Sequence, residues 1–233
     1  MNRLVLIAHG TRAPGAEPLL PLVADDVARL LPGVEVRHGY VEFSSPSAPE
    51  ALAGSADPVV VPFFLGGGYH VEHDLPSLVT EHGSGSVTRH LGPEPDLLSG
   101  VVERLTEQLV TEGADWQEVD AVVLAAAGTR RTSGVAEAQE AARAVEAMTG
   151  VRTSAAFLSA AEPSVRAAVH SLHEGGAEVV ALATYLLAEG HFSRALHGAG
   201  AEIVAPPIGH HHSLADVVVR RYLEQVEGAE QRV

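Results

Sequence analysis

Residues 59–76 read VVVPFFLGGGYHVEHDLP. An apolar run of β-branched and aromatic residues ends there in three glycines, and a helical pattern follows. The segment predicts a buried strand that runs into a glycine-rich loop and then into a helix. The loop carries His70, Glu72, His73 and Asp74, which are residue types that bind metals or accept protons. In open α/β sheets ligands bind beyond the carboxyl ends of the strands, so this loop is well placed for chemistry.

Strand and helix patterns alternate along the whole chain, and the second half repeats the first. Three motifs recur in the same order: residues 4–12 at 122–130, residues 45–47 at 162–164, and residues 63–71 at 184–192. We therefore predict a tandem duplication with subdomains over residues 1–115 and 116–233. Each subdomain is expected to be an α/β unit with a four-stranded parallel sheet flanked by helices, and a cleft is expected between the two.

The composition limits the possible partners and metal ligands. The 233 residues include 15 Lys and Arg against 30 Asp and Glu, a net charge of −15 that disfavours nucleic acid. The chain has no cysteine, so any metal must be held by histidine and carboxylate. The apolar run Leu4–Ala8 is too short for a signal peptide or a membrane span. We expect a cytoplasmic monomer or homodimer without nucleic-acid or membrane partners.

The two copies differ in the residues that follow their strands. The first copy has His9, Glu42 and His70 where the second has Ala127, Ser159 and His191. All three first-copy residues follow predicted strands, so they are expected to meet at one edge of a sheet. Two imidazoles and a carboxylate suit Fe²⁺, Co²⁺, Ni²⁺ or Zn²⁺ and leave coordination positions open.

Each of these residues taken alone also has a simpler interpretation. His9 fits equally well a histidine hydrogen-bonded at a strand end, and Glu42 fits a solvated carboxylate. His73 and Asp74 are interpreted as solvent-facing or supporting residues rather than ligands. The set of His9, Glu42 and His70 nevertheless favours a metal site.

Four arginines are candidates for binding an anionic substrate. Arg12 follows the first strand, Arg130 and Arg131 follow its copy, and Arg194 follows the second glycine-containing loop. A guanidinium pairs bidentately with a carboxylate, although an arginine in a loop often only faces solvent. The triplet His210–His212 is given no role.

The motifs at residues 9–12, at Glu42 and at residues 63–71 with Asp74-Leu75-Pro76 resemble the sirohydrochlorin and cobalt chelatases, the class II tetrapyrrole chelatases, in their two-domain form. The resemblance covers essentially the whole chain. It implies two ferrochelatase-like subdomains and a lyase that inserts a divalent metal into a tetrapyrrole without ATP or an organic cofactor. It also implies that His9 and His70 hold the metal, that these two residues and Glu42 are catalytic, and that the second half carries a degenerate site.

The resemblance leaves the metal open. Fe²⁺ insertion into sirohydrochlorin for sirohaem synthesis is the favoured expectation, and Co²⁺ or Ni²⁺ insertion for a cobalamin or nickel-tetrapyrrole pathway is the alternative. A non-catalytic metal or tetrapyrrole carrier is a further alternative. A histidine phosphatase with His9 as nucleophile is another alternative, although that family requires arginine where this chain has Ala8.

Overall fold

The structure is a computed structural model that describes residues 3–11 and 19–231. Within these residues the strands are β1 Arg3–Ala8, β2 Glu35–Tyr40, β3 Pro58–Pro62, β4 Ser86–Val87, β5 Ala121–Ala126, β6 Thr153–Phe157, β7 Val180–Tyr185 and β8 Ile203–Val204. The helices are α1 Leu19–Leu30, α2 Ala48–Leu52, α3 Leu75–His82, α4 Pro95–Glu112, α5 Thr132–Thr149, α6 Val165–Glu174, α7 His191–Leu196 and α8 His212–Glu230.

The strands form two parallel sheets with the same strand order. The first sheet runs β2-β1-β3-β4 and the second runs β6-β5-β7-β8. Leu6 of β1 pairs with His38 of β2 and Val61 of β3, and Leu124 occupies the same central position in β5. The predicted fold class, two α/β subdomains with four-stranded parallel sheets, is confirmed.

The central strands are buried because helices cover both faces of each sheet. The residues from Leu4 to Ile7 are fully inaccessible, as are those from Val122 to Ala125. Continuous aliphatic runs of this kind are typical of parallel strands, which cannot alternate polar and apolar residues when both faces are covered. The aliphatic composition of the chain is therefore a direct consequence of this layered architecture.

The chain forms two compact units, and each is built from parts of both sequence repeats. One unit comprises Met1–Gly92 with His210–Val233, and the other comprises Pro93–Gly209. Helix α8 therefore packs on α1 and β3, whereas α4 packs on α5, β7 and β8. The subdomain boundary predicted after residue 115 separates the two sequence repeats. As a domain boundary it stays a prediction. In the folded chain the terminal helix of each repeat belongs to the other compact unit.

Two equivalent arginines fix these exchanged helices. Arg221 of α8 is almost fully buried, and its guanidinium donates to the carbonyl oxygens of His90 at 2.9 Å and Leu91 at 3.1 Å. Arg104 of α4 donates from Nε to the carbonyl oxygen of Ile208 at 3.0 Å. In each case the guanidinium satisfies backbone oxygens of the segment that follows the last strand of its unit's sheet.

Among the described residues, none of the helices has the length and apolar character that a membrane span requires.

Helix α8 begins at His212, and the ring of His211 accepts a hydrogen bond from the backbone N–H of Ser213. The capping residue is therefore His211. An imidazole nitrogen replaces the usual hydroxyl oxygen in this role.

Candidate metal site

His9 is half-buried at the carboxyl end of the central strand β1. The backbone N–H of Glu42 donates to the His9 carbonyl oxygen at 2.9 Å, which ties the loops after β1 and β2 together. Gly10 has a φ of 93°, and a Cβ on it would lie 1.8 Å from the carbonyl oxygen of Glu42. Only glycine permits this approach and this backbone conformation. Gly10 thereby fixes the direction in which the chain leaves β1.

His70 follows β3 through the loop of residues 63–69 and begins a π-helical turn, His70–Asp74. Its Nδ1 lies 2.6 Å from Oδ2 of Asp74, four residues later. The His70 side chain is 27% exposed, so it is accessible to a ligand but held on one side. Single π-helical turns are rare and often occur at functional sites.

The fold brings His9 and His70 together. In the order β2-β1-β3-β4 the chain crosses from one side of β1 to the other, and the carboxyl ends of β1 and β3 flank this switch point. The two imidazole rings have centroids 4.8 Å apart and an interplanar angle of 79°. Rings at this separation can direct one nitrogen each at a common ion, with nitrogen–metal distances of about 2.0–2.1 Å.

The hydrogen-bond acceptors beside the two rings identify which nitrogen is free to bind a metal. Nδ1 of His9 lies 3.2 Å from the Gly10 carbonyl oxygen, and Nδ1 of His70 lies beside the Asp74 carboxylate. Both neighbours accept hydrogen bonds, so they favour the neutral tautomer that has its proton on Nδ1. Each Nε2 then keeps its lone pair for a ligand.

Glu42 lies in the loop after β2, with an exposed side chain. Its backbone is bound to His9, but its carboxylate does not complete a three-residue ligand set. In the described parts of the chain, no three His, Cys, Asp or Glu side chains are grouped so that they could hold a metal ion. The structure thus offers a pair of imidazoles rather than the predicted trio, and the catalytic role of Glu42 stays a prediction.

Three aromatic rings surround the histidine pair. The Phe43 ring lies 5.6 Å from that of His9, while the rings of Phe64 and Tyr69 each lie 6.3 Å from that of His70. Phe43 is 48% exposed and Tyr69 is 67% exposed. Phe43 also has a φ of 61°, a conformation that costs energy for a side chain with a Cβ. The two imidazoles therefore lie beside exposed aromatic side chains.

Comparison with known proteins identifies the family. The CbiX family model matches the chain twice, over residues 3–108 and 121–225. The chain belongs to the CbiX family. This membership confirms the resemblance predicted from the motifs at His9 and His70, and the two matches reproduce the internal duplication.

Relatives of this chain include proteins named as chelatases. The sirohydrochlorin cobaltochelatase of Methanocaldococcus jannaschii is 40% identical over 86 residues, which cover 34% of this chain and 59% of that protein. The aligned part thus spans about three fifths of that relative's length. The cobaltochelatase of Methanosarcina acetivorans is 35% identical over 89 residues, covering 35% of this chain and 68% of the relative.

Several solved structures share the fold of the whole chain. SirB from Bacillus subtilis with Fe³⁺ superposes with a TM-score of 0.80 at 20% identity, covering 99% of this chain and 97% of that one. The structure of CbiX, described as the terminal enzyme of sirohaem biosynthesis in denitrifying bacteria, gives a TM-score of 0.70 at 19% identity. That match covers 95% of this chain and 98% of that one. At these identities the likeness establishes the fold.

Three of the four arginines predicted to bind substrate belong to the second repeat. Arg12 falls outside the described residues. Arg130 is exposed after β5, and Arg131 directly precedes α5 with its backbone N–H bound to Oγ1 of Thr129 at 3.2 Å. Arg194 is exposed on α7, and its Nε donates to the Gly190 carbonyl oxygen at 3.2 Å. The three described arginines thus follow β5 and β7, at the switch point of the second sheet.

The second repeat keeps the backbone geometry of the first but lacks its pair of facing histidines. Gly128 has a φ of 97°, and a Cβ there would lie 1.8 Å from the carbonyl oxygen of Ser159, as at Gly10. The Ser159 hydroxyl donates to the Ala127 carbonyl oxygen at 2.9 Å, and His191 is exposed. The geometry of the strand ends is preserved, whereas the pair of facing imidazoles is absent from this described edge.

Four residues at the site were missed or undervalued by sequence reasoning. Phe43, Phe64 and Tyr69 contact the histidine rings, and Asp74 holds His70. The spacing of four residues between His70 and Asp74 is a usable signal, since such residues face each other on a helix. The ring contacts carry no comparable signal, because they depend on how three loops fold together.

Proposed function

We propose that the protein is a chelatase that inserts a divalent metal ion into sirohydrochlorin. The observation that supports this most strongly is the pair of imidazoles, His9 and His70, at the switch point of a sheet in a CbiX fold. Both rings present an Nε2 lone pair, and no further protein ligand closes the site among the described residues. Such a site suits an ion that must be passed on rather than retained.

In the proposed reaction the metal ion is a substrate. His9 and His70 bind the ion through Nε2, and the remaining positions are occupied by water. The pyrrole nitrogens of the macrocycle then replace water and imidazole one after another. Two N–H bonds of the macrocycle break, their electron pairs form bonds to the metal, and two protons leave.

The same histidines can receive the protons. An imidazole that has released its metal has a free lone pair on Nε2, so it can act as a base at that moment. Glu42 is proposed to orient a histidine or to take up a proton, since its backbone is bound to His9. These roles require no ATP and no organic cofactor.

The surroundings of the site suit a flat, anionic substrate. Phe43 and Tyr69 expose aromatic surface beside the histidine pair, and a planar macrocycle can pack against such rings. Arg12, Arg130, Arg131 and Arg194 are proposed to bind carboxylates of the substrate, which the chain's net charge of −15 would otherwise repel.

Fe²⁺, Co²⁺ and Ni²⁺ are candidates for the physiological substrate. Fe²⁺ is our first proposal, on the expectation of sirohaem synthesis. Co²⁺ is the second, and the names of the relatives from Methanocaldococcus and Methanosarcina favour it because those proteins are cobaltochelatases. Imidazole ligands bind both ions, so the donor set does not choose between them.

The test is anaerobic spectrophotometry of sirohydrochlorin with the purified protein and Fe²⁺, Co²⁺ or Ni²⁺ in separate reactions. We expect multiple turnovers with at least one metal, and loss of turnover in His9→Ala. His191→Ala is the matched control, because His191 is the repeated histidine without a facing histidine, and its activity should match that of the wild type. A spectral change of only one equivalent per protein would indicate a carrier, and near-normal turnover in His9→Ala would reject the assigned site.

A further inference from the structure

The carboxylate of Asp74 is paired with the ring of His70 through the nitrogen that the metal does not need. Asp74 Oδ2 is 2.6 Å from His70 Nδ1, and the Asp74 side chain is 35% exposed. The contact spans four residues inside the π-helical turn, which is closed by the backbone N–H of Leu75 donating to the His70 carbonyl oxygen. The turn therefore holds ring and carboxylate in one fixed geometry.

The second repeat shows the same position in a sheet that lacks a pair of facing histidines. His191 corresponds to His70, and Ala195 stands at the position of Asp74. There the segment is an ordinary α-helix, and His191 is exposed. The carboxylate and the π-helical turn therefore accompany the facing histidine, His9, and both are missing where the first strand ends in Ala127.

We propose that Asp74 is a positioning residue that holds His70 in the Nδ1–H tautomer, so that Nε2 is unprotonated and directed at the metal substrate. The inference rests on the proposed function and deepens it. A neutral imidazole in water prefers the opposite tautomer, with its proton on Nε2, where it would block the metal. The carboxylate accepts the Nδ1–H bond and reverses that preference, and it also restricts rotation of the ring.

The expected loss of metal affinity can be taken from other metal sites in which a carboxylate or carbonyl group holds a ligating histidine. Loss of the group that holds a ligating histidine weakens metal binding about 10–100-fold. Asp74→Ala should therefore weaken Co²⁺ binding by a factor in that range. Asp74→Asn should lose less, because the amide oxygen still accepts the Nδ1–H bond while the charge is removed.

The experiment has two readouts on the full-length protein. Long-range ¹H–¹⁵N NMR correlations assign the tautomer of His70 in the metal-free protein, and anaerobic Co²⁺ titration followed by visible absorption gives the metal affinity. Glu72→Ala is the matched control, since it removes an equal charge from the same turn at an exposed position. Circular dichroism checks that each variant is folded.

We expect the Nδ1–H tautomer in the wild type, in Asp74→Asn and in Glu72→Ala, and the Nε2–H tautomer in Asp74→Ala. Co²⁺ affinity should fall strongly in Asp74→Ala and change little in Glu72→Ala. An unchanged tautomer in Asp74→Ala, or equal losses of affinity in Asp74→Ala and Glu72→Ala, would overturn the inference while wild-type binding and turnover persist. Failure of the wild type to bind Co²⁺ would instead overturn the proposed function on which the inference rests.

Discussion

Replacing Gly10 by alanine should disturb both the stability of the first sheet and its metal site. The φ of 93° costs an L-residue about 1–3 kcal/mol. The new Cβ would also lie 1.8 Å from the Glu42 carbonyl oxygen, whereas real Cβ atoms essentially never come within 3.0 Å of a heavy atom. Relieving such overpacking typically costs a further ~1–3 kcal/mol. We therefore expect a loss of about 2–6 kcal/mol in the free energy of unfolding.

The structure supplies a matched control in Gly128→Ala. Gly128 has a φ of 97°, and a Cβ added there would approach the Ser159 carbonyl oxygen to the same 1.8 Å. Both variants should lower the thermal midpoint by about 4–24 °C. Only Gly10→Ala displaces His9, so only this variant should weaken Co²⁺ binding, by at least about 10-fold.

Thermal unfolding monitored by circular dichroism and anaerobic Co²⁺ titration together test this prediction. Equal Co²⁺ affinities in the two variants would refute the argument that Gly10 positions the metal site. A Gly10→Ala protein as stable as the wild type would refute the steric argument itself.

Three further predictions concern separate parts of the chain. Arg221→Ala should lower the free energy of unfolding in urea by about 2–5 kcal/mol, because two backbone oxygens lose a buried donor. Arg104 is partly exposed, so Arg104→Ala should lower it by less. Equal losses in the two variants would contradict this argument. The pKa of His173 should exceed its usual value in an NMR titration, because the Ala177 carbonyl and then Glu202 favour the cation. The resulting stabilisation is present below the unfolded-state pKa and is lost as pH rises through the folded-state pKa, a dependence that His173→Gln should remove. Tyr69→Ala should raise KM for sirohydrochlorin several-fold with a smaller change in kcat, and a change in kcat alone would argue against packing of the macrocycle on this ring.

Much of the fold can be predicted from the sequence because buried parallel strands appear there as continuous aliphatic runs. Leu4–Ala8 and its copy at residues 122–126 are uninterrupted aliphatic runs, and both form central strands. The repeat then fixes the number of sheets and the order of the elements. The position of His9 at a strand end also follows, since the apolar run stops there.

The exchange of helices between the compact units does not follow from the sequence. The amphipathic patterns of α4 and α8 show that each helix buries one face, but either sheet offers an apolar surface for it. The choice depends on contacts between distant residues, such as Arg221 with the carbonyl oxygens of His90 and Leu91. A pattern within one segment contains no information about such contacts.

The candidate site could be predicted in part. Because parallel strands end at the same edge, His9 and His70 were expected near each other, and the structure brings their rings to 4.8 Å. The carboxylate expected to join them was Glu42, whereas the carboxylate in contact with His70 is Asp74. The π-helical turn produces this contact, and irregular backbone of this kind has no reliable sequence pattern.

The most direct test of the account is the stoichiometry of tight Co²⁺ binding by the wild type and three variants under anaerobic conditions. We predict one tight site per chain, which is lost in His9→Ala and in His70→Ala and is retained in His191→Ala. Tight binding that survives both His9→Ala and His70→Ala, or that disappears in His191→Ala, would contradict a single metal site at the ends of β1 and β3.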